Sequence, residues 1–152
     1  MARTHTYTAT VTWTGNTGAG TASYRGYSRD HVIALPGKAP IAGSSDPAFR
    51  GDPSRVNPEE MLVCSLSTCH MLWFLHLACE AGIVVESYED EPHGEMAEAA
   101  DGGGQFTRVT LRPKVSLSKG DAQALHAIHE RAHALCFIAR SVNFPVACEA
   151  RD

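Results

Sequence analysis

Apolar residues recur along this chain in two rhythms, and each predicts a different kind of element. Over residues 7–14, Tyr7, Ala9, Val11 and Trp13 alternate with threonines, the period of a half-buried strand. Turn chemistry follows at 15–18, and residues 21–35 return as one or two further strands, so the chain opens as an antiparallel meander. Residues 36–56 carry Pro36, Pro40, Pro47 and Pro53 and read as a long connection without regular structure. Residues 83–90 predict a strand, 95–101 are ambiguous, and the three glycines at 102–104 mark a loop tip. The alternation at 106–117 is the cleanest: Val109, Leu111, Val115 and Leu117 on one face, Thr110, Arg112, Lys114 and Ser116 on the other. One wet face predicts an antiparallel sheet with helices on its other side.

The helical rhythm appears twice. Between Asn57 and Gly82 the start and stop signals are explicit: Asn57 to cap, Pro58 at the first helical position, Glu59 and Glu60 at the positive end of the dipole, and Gly82 to terminate. A helix over 58–81 would span roughly 36 Å. Its apolar residues leave no continuous polar face, which predicts a helix buried all round. Ser65, Ser67, Thr68, His70 and His76 interrupt the run and argue for a core axis over a membrane span. A second helix is predicted from Ser118, with Asp121 in its cap and Leu125, Ile128, Ala132 and Leu135 as its stripe, reaching about Phe137. Asn143-Phe144-Pro145 breaks it, and a last short strand follows at 146–148. The expected class is α+β, antiparallel sheets around a long central helix, in a single domain over 1–152.

Charge and cysteine usage then narrow the class. A net charge of −4 gives no basic stripe for nucleic acid. No apolar run follows the first residues, and the five cysteines have no paired spacing of a secreted disulfide framework. A cytoplasmic protein is expected, with cysteines that are structural, metal-binding or redox-active.

Two of those cysteines stand where chemistry is possible. Cys69 lies mid-helix beside small residues (Ser65, Ser67 and Thr68), which leaves room for a ligand to approach its sulfur. Cys136 lies where the second helix ends. For Cys64, Cys79 and Cys148, packing alone is the expected role, because a free thiol behaves as a small buried hydrophobe. A thiolate needs positive charge nearby, and Arg50 and Arg55, just before the helix, are the natural suppliers. Glu59 and Glu60 can hold an arginine fork or merely cap the helix. Along a straight helix Glu59 and Cys69 are about 15 Å apart, so a bend or a second chain is needed to bring the two together. His126, His129 and His133 share one helix face with Cys136, yet histidines at these spacings spread over about 10 Å and cannot all reach one ion.

The run Asn57-Pro58-Glu59-Glu60-Met61-Leu62, with Cys69 ten residues after Glu59 and Cys136 near the end of a later helix, resembles the signature of the OsmC/Ohr family, in its OsmC-like branch. The resemblance extends over nearly the whole chain. It implies an intertwined homodimer and cysteine-based reduction of organic hydroperoxides without metal, haem or other cofactor. It matches Cys69 to the peroxidatic cysteine, Cys136 to the resolving one, Glu59 to the glutamate that orients an arginine, and Arg50 to that arginine. It further implies recycling by an external dithiol of lipoyl type. The chain departs from the family pattern at His70, where Phe is frequent, and in the Leu-Cys-Phe-Ile setting of Cys136. Two other readings stand beside this one: a non-enzymatic protein that binds apolar ligands, and a zinc protein built on His126, His129, His133 and the cysteines. The open apolar sides of the long helix predict an obligate homodimer with sites near its interface.

Overall fold

The computed structural model of the protein describes residues 1–151, a mixed α+β chain that divides into two compact units, 1–61 and 62–152.

The first unit holds a three-stranded antiparallel sheet ordered β1-β2-β3, with β1 at Thr10–Trp13, β2 at His31–Ala34 and β3 at Ile41–Gly43. The opening strand is shorter than its alternation predicts, and both of its faces are open: Val11 is 66% and Trp13 42% exposed. The chain between 14 and 30 is turn and bend rather than strand until β2 begins. The proline-rich connection also differs from expectation. It contains β3, and a single turn of 3-10 helix at Pro47–Phe49 follows, capped by the side chain of Asp46 on the Ala48 amide.

Helix α1 runs from Pro58 to Glu80, as its punctuation predicts. The start is a reciprocal box: Asn57 Oδ1 accepts from the Glu60 amide at 2.8 Å, and the Glu60 carboxylate accepts from the Asn57 amide at 3.0 Å. Gly82 ends it at φ 72°, a left-handed conformation that favours glycine.

The second unit packs around α1. Strands β4 (Val84–Asp90) and β7 (Pro113–Lys119) form one antiparallel pair. Strands β5 (His93–Glu98), β6 (Gly104–Leu111) and β8 (Val146–Cys148) form a second sheet. The stretch 106–117 is therefore two strands in two sheets. The break falls at Arg112, and Pro113, which lacks an N–H for the ladder, takes the first position of β7, where a strand tolerates proline. The sheet is also not purely antiparallel, because β8 runs parallel to β6. Helix α2 is shorter than predicted, Leu125–Leu135. Ser118 belongs to β7, and Asp121 instead caps a 3-10 turn at Ala122–Ala124.

The expected burial of α1 on every side is overturned within this chain. Its buried residues are Leu66, Ser67, His70, Phe74 and Ala78, one stripe at helical spacing, while Leu72 on the other side is 62% exposed. Two β-structures and one helix cannot surround a helix of this length, so only the stripe is covered. That stripe feeds two apolar cores. Leu66 packs with Val109 and Leu111 of β6, and Phe74 and Ala78 pack with Ile83, Leu125, Ile128 and Ala132. Close approach of β5 to α1 requires Gly94, where a Cβ would stand 2.7 Å from Val63 Cγ2.

A carboxylate secures the corner between β6 and β7. Asp90, the last residue of β4, accepts the Ser67 hydroxyl of α1 at 2.5 Å on one oxygen and the Arg112 amide at 2.6 Å on the other.

Candidate functional site

Consecutive residues of α1, Cys69 and His70, each meet a partner contributed by the α2 region. Position 69 is half-buried, and its side chain lies beside Cys136, the buried residue that closes α2. Ala139 opens a 3-10 turn over Ala139–Ser141, and its amide, one of the first N–H groups of that turn, donates to Cys136 Sγ at 3.4 Å. Burial pushes the Cys136 thiol up to about 11, the neighbouring Cys69 adds to the rise, and the Ala139 and Ile138 amides oppose it. Cys136 therefore keeps its proton near neutral pH. An S–H held in place can donate to the sulfur of Cys69.

His70 is fully buried between the two cores. Its Nε2 lies 3.0 Å from His129 Nδ1 and 3.8 Å from Cys148 Sγ. Burial first, with the neighbouring His129 and His133 acting in the same direction, lowers its pKa to about 4, so the ring is neutral at physiological pH. The His129 ring is stacked against Phe74 at 4.3 Å between centroids. Sequence reasoning missed this group. The available signal was a histidine on the stripe Leu66, His70, Phe74, Ala78, which reads identically whether the imidazole is packed or partnered.

The histidine stripe on α2 is not a cluster. His126 is exposed and faces Glu130 at 3.4 Å, and of the stripe only His129 is turned into the core. Cys64 and Cys79, expected to be packed, are exposed on the outer side of α1. Cys148 is half-buried, as a partly packed thiol.

Arg50 and Glu59 lie in the first unit, whereas Cys69 and Cys136 lie together in the second. Arg50 has φ 66°, closes the 3-10 turn, and carries its guanidinium 6.0 Å from the ring centre of Tyr24. Among the described residues no ion pair joins it to Glu59. Arg55 is engaged by Asp30 at 3.5 Å and Asp52 at 3.7 Å, and Glu60 is engaged in the helix cap, so among the described residues of this one chain no fork between these arginines and glutamates is present. Beside Arg50, the Arg29 guanidinium lies over the rings of Tyr24 and Tyr27, at 4.5 and 4.0 Å.

Residues 51–151 match the family model described as OsmC-like protein. Similarity in structure extends over the whole length. An OsmC-like protein of unknown function from Vibrio cholerae is 36% identical, with a TM-score of 0.86 over 97% of this chain and 99% of that one. An organic hydroperoxide resistance protein from Elizabethkingia anophelis, solved with thiocyanate bound, is 15% identical, with a TM-score of 0.72 over 99% of this chain and 96% of that one. The organic hydroperoxide resistance protein OhrB of Bacillus subtilis is 22% identical, with a TM-score of 0.66 over 95% of this chain and 98% of that one. The last two likenesses are likenesses of fold. None of the curated proteins matches this chain in sequence.

Proposed function

The chain belongs to the OsmC/Ohr family, and from that premise we propose that it is a thiol peroxidase that reduces organic hydroperoxides to alcohols. The observation that carries this reading is the contact between a half-buried thiol at Cys69 and a buried, protonated one at Cys136.

The Cys69 thiolate attacks the outer peroxide oxygen, the O–O bond breaks, and the alkoxide leaves and takes up a proton as an alcohol. Cys69 is then a sulfenic acid. The sulfur of Cys136, after giving up its proton, attacks Cys69, water departs, and a disulfide remains. An external dithiol, of lipoyl type by family resemblance, reduces that disulfide and is itself oxidised to a disulfide. Arg50 and Glu59 keep the supporting roles that the same resemblance assigns, an arginine that favours the thiolate and a glutamate that orients it. Apolar side chains around α1 favour alkyl or lipid hydroperoxides over hydrogen peroxide. Five cysteines outside any disulfide suit a reducing cytoplasm.

The same reading includes a homodimer. The outer side of α1 exposes Leu72, and β1 exposes Val11 and Trp13, apolar surface that a two-fold partner would cover. Light scattering at low micromolar concentration tests this: a stable, fully active 16.3 kDa monomer refutes it.

The chemistry is tested by intact mass after one equivalent of an organic hydroperoxide. Formation of the disulfide removes two hydrogens, about 2 Da. An unchanged mass with unconsumed peroxide would remove the peroxidase reading and favour an inert apolar-ligand binder.

A further inference from the structure

Two imidazoles and a thiol converge in the second unit at a place that the peroxide chemistry leaves unused. They come from three elements: His70 from α1, His129 from α2 and Cys148 from β8. The histidines are 0% and 3% exposed, and Cys148 is half-buried, which leaves one approach to the group. One ligand atom from each, with His70 Nε2 at 3.0 Å from His129 Nδ1 and 3.8 Å from Cys148 Sγ, falls within a span of 4.8 Å.

The two separations at His70 Nε2 are close to the edges of a coordination polyhedron. Zn–N bonds of about 2.0–2.1 Å and a Zn–S bond of about 2.3 Å, at tetrahedral angles, put ligand atoms about 3.3–3.6 Å apart. The two edges at His70 Nε2 would change by only a few tenths of an ångström, and the third, between His129 Nδ1 and Cys148 Sγ and within 4.8 Å, would close by at most about 1.2 Å, a shift within reach of side-chain rotations. The surroundings add a second point. His70 Nδ1 is buried without a hydrogen-bond partner, so the polar contacts of this imidazole are those its Nε2 makes with His129 and Cys148. Packing alone would place an apolar ring at position 70, between Leu66 and Phe74 on the same stripe.

We propose that His70, His129 and Cys148 form a binding site for a d10 transition-metal ion of the Zn2+ and Cu+ class, separate from the Cys69–Cys136 pair. Imidazole and thiolate together select this class over hard cations, which take oxygen ligands. Binding removes the Cys148 thiol proton to solvent. The proton between the two rings moves to an outer nitrogen, so that Nε2 of His70 and Nδ1 of His129 both present lone pairs. Cu+ with one thiolate is neutral and content with three ligands. Zn2+ leaves one positive charge and takes a water as its fourth ligand. A bound ion would tie α1, α2 and β8 at one point. The inference rests on these three residues and not on the peroxidase reading.

The test uses the full chain, freed of metal by a chelator and kept reduced. Zn2+ is titrated against a chromophoric chelator, Cu+ against bicinchoninate without oxygen, and Co2+ serves as the spectroscopic probe. One equivalent of Zn2+ or Cu+ should bind per chain, with a cobalt–thiolate charge-transfer band in the near ultraviolet. His129→Gln and Cys148→Ser should each weaken binding by at least about a hundredfold. The double variant Cys69→Ser/Cys136→Ser should bind as the parent does. At a hundredfold excess over Kd the ion should raise Tm by about 5–10 °C. Should His129→Gln fail to fold, the cobalt band decides: its loss in Cys148→Ser and survival in Cys69→Ser/Cys136→Ser sustains the site. No stoichiometric ion, or an ion lost with Cys69 and Cys136 instead, overturns it.

Discussion

Cys69 and His70 are neighbours in sequence, and the helix turns them about 100° apart, into two different kinds of place. Cys69 is half-buried against a thiol whose proton is retained, and main-chain amides at the end of α2 attend that partner. His70 is fully buried against another imidazole, and its own proton is driven off by that burial. The first place has access and a reactive pair. The second has neutrality, rigidity and soft ligand atoms. The comparison teaches that one turn of a single helix can set a half-buried thiol beside a fully buried imidazole, the first suited to the proposed turnover and the second to the proposed holding of an ion.

The two places can be separated by experiment. The largest expected effect is at the first: Cys69→Ser should reduce peroxide consumption by at least about a thousandfold, since the nucleophile itself is lost. Wild-type turnover in that variant would sink the mechanism. Cys136→Ser should consume about one equivalent per chain and then stall, with over-oxidised Cys69 accumulating in excess peroxide. Mass spectrometry reads this, and sustained cycling with a dithiol would take Cys136 out of the mechanism.

At the second place the readout is stability. His70 has a folded pKa of about 4 against 6.5 for the free side chain, so between these values the unfolded chain binds the extra proton. Stability is therefore fully present above pH 6.5 and is lost as pH falls towards 4, by roughly 3 kcal/mol in metal-free protein. His129, which meets the ring, and the exposed His133, whose charge acts on it, persist in a His70→Gln variant, which should lose most of that slope in denaturant titrations between pH 4 and 7. An unchanged slope would show that His70 does not carry it. The smallest effect belongs to the outer side of α1. Cys64→Ser and Cys79→Ser should leave turnover within about twofold, as expected for exposed positions. A larger loss in either would bring the outer thiols into the chemistry.

Local signals made α1 legible in the sequence, because capping and glycine termination depend on residues that lie next to one another. Asn57, Pro58 and Gly82 mark its ends correctly. The corner at Arg112 was not legible: Val109, Leu111, Val115 and Leu117 keep one alternation across a break that only strand pairing reveals. The burial of α1 was overestimated because an apolar composition reports what could be covered, not what one chain covers. Both cysteines of the pair stood out, Cys69 by its small neighbours and Cys136 by its place at a helix end. Their contact did not, since nothing local encodes a partner on another element. His129 illustrates the same limit. It shares a face with His126 and His133 by spacing, and the packing of α2 against α1 selects it alone to meet His70.

The Asp90 carboxylate can be viewed as a constraint on residue choice. Each of its oxygens receives one donor, an α1 hydroxyl and the amide at the turn from β6 to β7. The amide can only donate, whereas the Ser67 hydroxyl can also accept. An asparagine at 90 could thus keep both links, its oxygen on the amide and its nitrogen on the serine, while an alanine would lose both. The corner demands polar atoms in the right number and place rather than a negative charge, and denaturation of Asp90→Asn beside Asp90→Ala separates those two demands.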